Sequence, residues 1–128
     1  MRALKMIVIL AALTAFTAGI ACAKSANHSG TYGLKSDTAK GWLKLDQVKG
    51  AMHQFSVMVM AKDGATCSID GMIELEDGVG VFRGTFQKCN FSLYFKNGAA
   101  MIDSAKTCDQ CGGKATIDGT YVKGFMKK

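Results

Sequence analysis

The chain contains no proline and a single tryptophan in 128 residues. Without proline, chain reversals rest on glycine, asparagine and aspartate, and 15 glycines are the main supply. Helical periodicity is also missing beyond residue 23, where apolar residues do not recur at three- and four-residue intervals. No apolar run reaches the roughly 20 residues that a membrane-spanning helix needs; the longest extends from Met6 to Ala21. Histidine is scarce: His28 lies in a polar lead-in and His53 in a connection before a strand. No Ser-His-Asp or Cys-His arrangement is legible, and no glycine-rich phosphate loop precedes a helix. With no catalytic residue to name, the chain reads as a non-enzyme without a cofactor.

What is present begins with a leader. Arg2 and Lys5 precede the apolar run, which ends in Ala21-Cys22-Ala23. A positive start, an apolar middle and a small-x-small site are the marks of a secretory signal peptide, here residues 1–23. Its removal leaves 105 of the 128 residues, enough for one domain with a modest core. It also removes Cys22 and leaves four cysteines, Cys67, Cys89, Cys108 and Cys111. An exported chain with an even cysteine count reads as a disulfide protein of the periplasm or the cell exterior. A lipoprotein signal is the competing reading, with Cys22 acylated. Gly19 stands where such signals carry a larger aliphatic residue, so the anchor is the weaker alternative. The net charge of +6 falls to +4 without Arg2 and Lys5, and much of that excess sits at the ends, in Lys24, Lys123, Lys127 and Lys128. Such a dispersed excess does not fit a nucleic-acid partner.

Residues 24–30 are small and polar and read as a flexible lead-in, followed by a single β domain over 31–128. The dominant pattern there is period-two alternation. In residues 67–75, Cys67, Ile69, Gly71, Ile73 and Leu75 share one face, while Ser68, Asp70, Met72 and Glu74 share the other. Residues 89–96 repeat it, with Cys89, Phe91, Leu93 and Phe95 inward. One face therefore meets a core and the other meets water. Asn97-Gly98 is a two-residue hairpin signal, since both positions tolerate positive φ. Further strands are expected at 30–35, 41–46, 54–61, 79–86, 99–105 and 115–122. About eight short strands predict an all-β antiparallel meander closed as a barrel or a sandwich. Ser29-Gly30-Thr31-Tyr32 echoes Asp118-Gly119-Thr120-Tyr121, and pairing those two segments would shut a barrel.

In such a meander all four cysteines fall at one end of the sheet. Counting back from the Asn97-Gly98 turn sets Cys89 opposite residue 106, near Cys108, so Cys89–Cys108 is the first expected bond. Cys67–Cys111 then follows. The alternative map pairs Cys67 with Cys89 and closes Cys108–Cys111 locally. A redox reading of Cys108-Asp109-Gln110-Cys111 lacks a following helix, since Gly112-Gly113 comes next. A zinc site would want two Cys-x-x-Cys units, and only one is present.

Two constellations stand out as binding candidates. Asp70, Glu74, Glu76 and Asp77 form an acidic row on the outward side of the strand at 67–75 and its turn, suited to docking a cationic partner. Paired carboxylates can hydrolyse glycosides, but only in a cleft that desolvates one of them. Trp42, Met52, His53, Met58 and Met60 lie within 19 residues, and thioether with imidazole suits Cu(I). That set resembles small periplasmic copper chaperones, which are β-barrels using Met, His and a nearby Trp. Methionines on a strand more often cover apolar surface.

The whole layout, an exported leader, about a hundred residues of short strands, two disulfides and a late Gly-Thr-Tyr, resembles the small periplasmic β-barrel proteins among which are lysozyme inhibitors. The resemblance implies a binding protein whose partner is another protein, a lysozyme or other envelope hydrolase being foremost. It carries no site residue over to this chain. A periplasmic Cu(I) carrier and an envelope immunity or structural protein are the other readings.

Overall fold

A computed structural model describes residues 26–84, 88–103, 108, 111–112 and 115–125. The leader and Cys22 lie outside the described residues. Eight strands are present: β1 (Gly30–Leu34), β2 (Ala39–Lys49), β3 (Met52–Ala61), β4 (Thr66–Glu74), β5 (Val79–Arg83), β6 (Asn90–Lys96), β7 (Ala99–Asp103) and β8 (Gly119–Lys123). No helix occurs among the described residues, and none there is long and apolar enough to cross a membrane. The strands form one antiparallel sheet in the order β4-β3-β2-β1-β8-β7-β6-β5, rolled into a nearly closed barrel.

The alternation explains the roll. Along β3, Phe55, Val57 and Val59 are buried, and Ile69 and Ile73 of β4 and Phe91 and Leu93 of β6 join them in one core. Leu43 and Leu45 of β2 enter from the other side. Two-residue turns set the registers: Asp77 and Gly78 hold φ of 53° and 74°, and Asn97 and Gly98 hold 53° and 78°. Such turns match the right-handed twist of their strands.

Several boundaries differ from those the sequence predicts, β5 for one ending at Arg83. β2 and β3 are longer than 41–46 and 54–61, pairing as far as Lys49 and Met52 with a register shift between Gln47 and Lys49. At the other extreme, 115–118 is not strand, although Ala115 and Ile117 are buried in alternation. Their backbone makes local turns instead, Ala115 N–H donating to Gly112 O and Asp118 N–H to Thr116 Oγ1. Alternation there reports burial at the barrel mouth and not ladder pairing.

The Gly-Thr-Tyr echo is structural. β1 and β8 pair with Tyr32 opposite Lys123 and Leu34 opposite Tyr121, a register symmetric about Gly33 and Val122. Gly30 and Gly119 take matching φ of 151° and 154°. Each tyrosine then bonds back four residues: Tyr32 O–H donates to His28 O at 2.8 Å and Tyr121 O–H to Ile117 O at 2.7 Å. Each segment ahead of its tyrosine is thereby drawn over one end of the barrel.

The disulfides are Cys67–Cys111 and Cys89–Cys108, the first expected map, which excludes the alternative pairing. They tie the long β7–β8 connection to the starts of β4 and β6. Bonds of this kind contribute about 2–4 kcal/mol each. They indicate an oxidising compartment outside the cytoplasm.

Tyr121→Phe is expected to lower unfolding free energy by about 1–3 kcal/mol, because the Ile117 carbonyl would stay buried without a donor. Burial and Asp118 hold the Tyr121 hydroxyl well above its ordinary value, and burial raises that of Tyr32. The folded state therefore keeps protons that the unfolded chain releases. Stability is full below about pH 10, the ordinary tyrosine value, and falls as pH rises beyond it. Urea titrations of both proteins between pH 7 and pH 11 measure the two effects.

Candidate functional site

β4 and β5 are the sheet edges, and they meet without a backbone ladder. Their turn is a closed pair: Glu76 N–H donates to Val79 O and Val79 N–H to Glu76 O, both at 3.0 Å. Next to it, a Cβ on Gly80 would stand 2.6 Å from Glu74 O, so only glycine lets the strands approach there. Beyond that point they diverge. Phe82 of β5 spans the gap, packing edge-on against Phe55 at 4.9 Å and beside Phe91 at 5.2 Å. Gly71 of β4 makes room for that ring, since a Cβ would lie 2.9 Å from it. At the cysteine end, Gly112 N–H donates to Thr66 O at 3.1 Å beside the Cys67–Cys111 bond. The seam itself is thus held by a turn and a ring, and the disulfide beside it ties β4 to the β7–β8 connection.

Its outer rim is acidic. Residues 63–82 contain Asp63, Asp70, Glu74, Glu76 and Asp77 and no lysine or arginine. The last four are exposed on the outward face of β4 and on the turn, and none joins an ion pair among the described residues. Lys44 and Asp46 form an ion pair, at 4.0 Å on the exposed surface. Apolar side chains lie beside the carboxylates: Met72 is 45% exposed, Val79 53% and Val81 55%. Val79 sits opposite Tyr94, and Tyr94 opposite Met101, so the apolar line runs on across β6 and β7. This edge combines exposed apolar residues with like-signed charge, which opposes edge-to-edge pairing with a second copy. All four carboxylates are exposed, so burial does not desolvate any of them.

The proposed copper ligands are divided by the sheet. Met58 and Met60 share the outer face of β3, and Trp42 of β2 is directly opposite Met58. His53 points into the barrel at the far end of the same strand and is fully buried. Its Nδ1 is 2.8 Å from Ala51 O and its Nε2 accepts from His28 N–H at 3.4 Å, so both ring nitrogens are engaged. Met52 lies at that end too, six residues from Met58. At about 3.3 Å per residue the strand sets them roughly 20 Å apart.

Sequence reasoning missed a cavity of about 510 Å³ at the cysteine end. Leu34, Val59 and Ala115 line it, with Lys35, Lys62, Asp63 and Asp118 around the rim. Three separate connections build it, so no local pattern announces it. Two lysines and two aspartates balance, and the rim selects no charge class of ligand.

The fold and its disulfides define a small all-β barrel protein with four of its five cysteines in crosslinks. No known protein family, curated protein or solved structure matches this chain.

Removing the ring that bridges the seam tests how it is closed. Phe82→Ala should cost about 3 kcal/mol of stability. Amide exchange should speed up along β4 and β5 while the β1–β8 amides keep their protection. Uniform acceleration throughout the barrel would show that the seam is not a separate unit.

Proposed function

We propose that the protein is an exported, non-catalytic binding module that docks a cationic protein against the β4–β5 hairpin. The observation that carries this reading is the acidic, unpaired rim of Asp70, Glu74, Glu76 and Asp77 beside exposed Met72, Val79 and Val81. A secreted or periplasmic hydrolase of the lysozyme type fits that charge. Docking would be steric: the hairpin and the edge of β5 occupy the partner's cleft. The barrel and its disulfides hold the surface in shape, so little conformational entropy is lost on binding. Opposite charge would mainly raise the association rate.

The quadruple variant Asp70→Asn, Glu74→Gln, Glu76→Gln, Asp77→Asn keeps the side-chain shapes, and asparagine tolerates the positive φ at position 77. Its association with a cationic lysozyme, read by surface plasmon resonance, should slow about tenfold at low salt and lose most of its salt dependence. Unchanged association discards this patch. A wild-type protein that neither binds nor inhibits lysozyme discards that partner.

A second reading is a Cu(I) site narrowed to Met58 and Met60, favoured by their shared outer face and by Trp42 opposite Met58. Met58→Leu with Met60→Leu is nearly volume-conserving. It should abolish Cu(I) uptake in an anaerobic competition titration while leaving the thermal midpoint close to wild type. Absence of uptake by the unaltered protein ends the copper reading.

A further inference from the structure

The barrel end opposite the cysteines is closed by the residues just ahead of β1. Composition makes 24–30 a flexible lead-in, yet residues 27–29 have specific partners. His28 stacks on Phe95, with ring centroids 4.0 Å apart and planes 13° from parallel. His28 O accepts from the Tyr32 hydroxyl, Ser29 Oγ accepts from Gln47 N–H at 2.7 Å, and Ser29 N–H donates to Asn27 Oδ1 at 2.9 Å. Beneath this strap lies His53, the one buried polar side chain among the described residues.

The hydrogen bonds of His53 assign its tautomer. Ala51 O can only accept, so Nδ1 carries the hydrogen. Nε2 is then bare and accepts from His28 N–H. The neutral ring satisfies both partners. A protonated ring cannot, because an Nε2–H would face the N–H of His28, and a donor pair of this kind is repulsive inside a dry site. His28 is subject to the same bias. Burial, the neighbouring His53 and Lys123 each disfavour its charged form and hold it below the ordinary histidine value.

We propose that residues 27–29 form an acid-released latch: protonation of the His53–His28 pair expels the strap and uncovers Phe95 and the hairpin end of the core. The elements packed around the pair bring few groups that could offset the charge. β8 brings Lys123, which opposes protonation, and β1 brings only the Tyr32 hydroxyl, already donating to His28 O. β2 brings Gln47, and β6 brings Phe95. β4 ends in Glu74, opposite Met52, and the β4–β5 turn carries Glu76 and Asp77. Its Gly78 lies beside His28, a Cβ there falling 3.9 Å from His28 Cε1. These carboxylates are exposed at the rim and are not among the groups that shift His28.

The sign follows from His28. A folded-state value held below the ordinary 6.5 means that the folded form binds fewer protons than the open one. The latch is therefore fully closed above about pH 6.5 and is lost as pH falls through the lowered value. This inference does not depend on the proposed partner, because the strap can be followed on the protein alone.

The test is amide exchange on the oxidised full-length protein, read by NMR between pH 7.5 and pH 4.5 and corrected for intrinsic rates. Protection at Gln47 and Ser29, whose N–H groups donate to the strap or within it, should fall at least tenfold on acidification. Val57 and Ile69 in the core should hold theirs. His28→Phe keeps the ring stack and the main-chain bonds, so its strap should open at a lower pH. In His53→Gln the pH dependence should weaken to what His28 alone contributes. Should that variant fail to fold, the ring nitrogen shifts of His53 in the wild type decide the matter. A His53 that stays the neutral Nδ1–H tautomer while the strap opens overturns the proposal, as does protection that is independent of pH in the wild type.

Discussion

Two tyrosine hydroxyls bonded to carbonyls four residues upstream hold the rest of this structure in place. Tyr32 to His28 and Tyr121 to Ile117 anchor the only ladder in the sheet that joins distant parts of the chain, β1 with β8. Every other pairing links consecutive strands and forms locally. Without this one the chain would be two four-stranded meanders, β1–β4 and β5–β8, each with two exposed edges. Bringing the ends together costs loop-closure entropy before any ladder bond forms. Buried tyrosines whose rings pack in the core and whose hydroxyls find fixed acceptors help to offset that cost. Lys35 N–H to Thr120 O and Gly124 N–H to Thr31 O extend the pairing on either side.

The second junction, β4 with β5, is built from different materials. Here one turn and the Phe82 ring stand in for the missing ladder. The difference has a cause in the residues. Gly80 lets the strands approach closely at the turn, and Gly71 leaves room for the aromatic ring packed against it. An edge left in that state is where a small barrel is open to other chains. The carboxylates of Asp70, Glu74, Glu76 and Asp77 line it, and like charge there opposes edge-to-edge pairing with a second copy. Structural weakness and candidate function therefore coincide.

The disulfides complete the division of labour between the two ends. A core of about twenty buried side chains has little stability to spare. The crosslinks tie the β7–β8 connection down where no strand can do so, and Ile117 and Ala115 fill the mouth beneath it. The opposite end has no cysteine and is closed by hydrogen bonds and a histidine stacked on Phe95. One end is fixed covalently, and the other is held by hydrogen bonds and a ring stack.

Much of this is legible in the order of residues, because its causes are local. Period-two alternation around Ile69–Ile73 and Phe91–Phe95, with Asp77-Gly78 and Asn97-Gly98 between strands, specifies an antiparallel meander. Register counted from a turn reaches the Cys89–Cys108 bond, and the acidic run at 70–77 is visible as a charge pattern. The limits of the same reasoning lie in particular residues. The apolar run begins at Phe55, so His53 reads as connection; only pairing with Gln47 makes it strand and turns its ring inward, away from Met58 and Met60. Ala115 and Ile117 alternate like a strand because alternate side chains are buried, while their backbone has no neighbouring strand to join. The ring of Phe82 over Gly71, the strap over His53 and the cavity near Leu34 and Ala115 all depend on closure. They are distances between residues far apart along the chain, and closing the barrel is the step that brings them within reach.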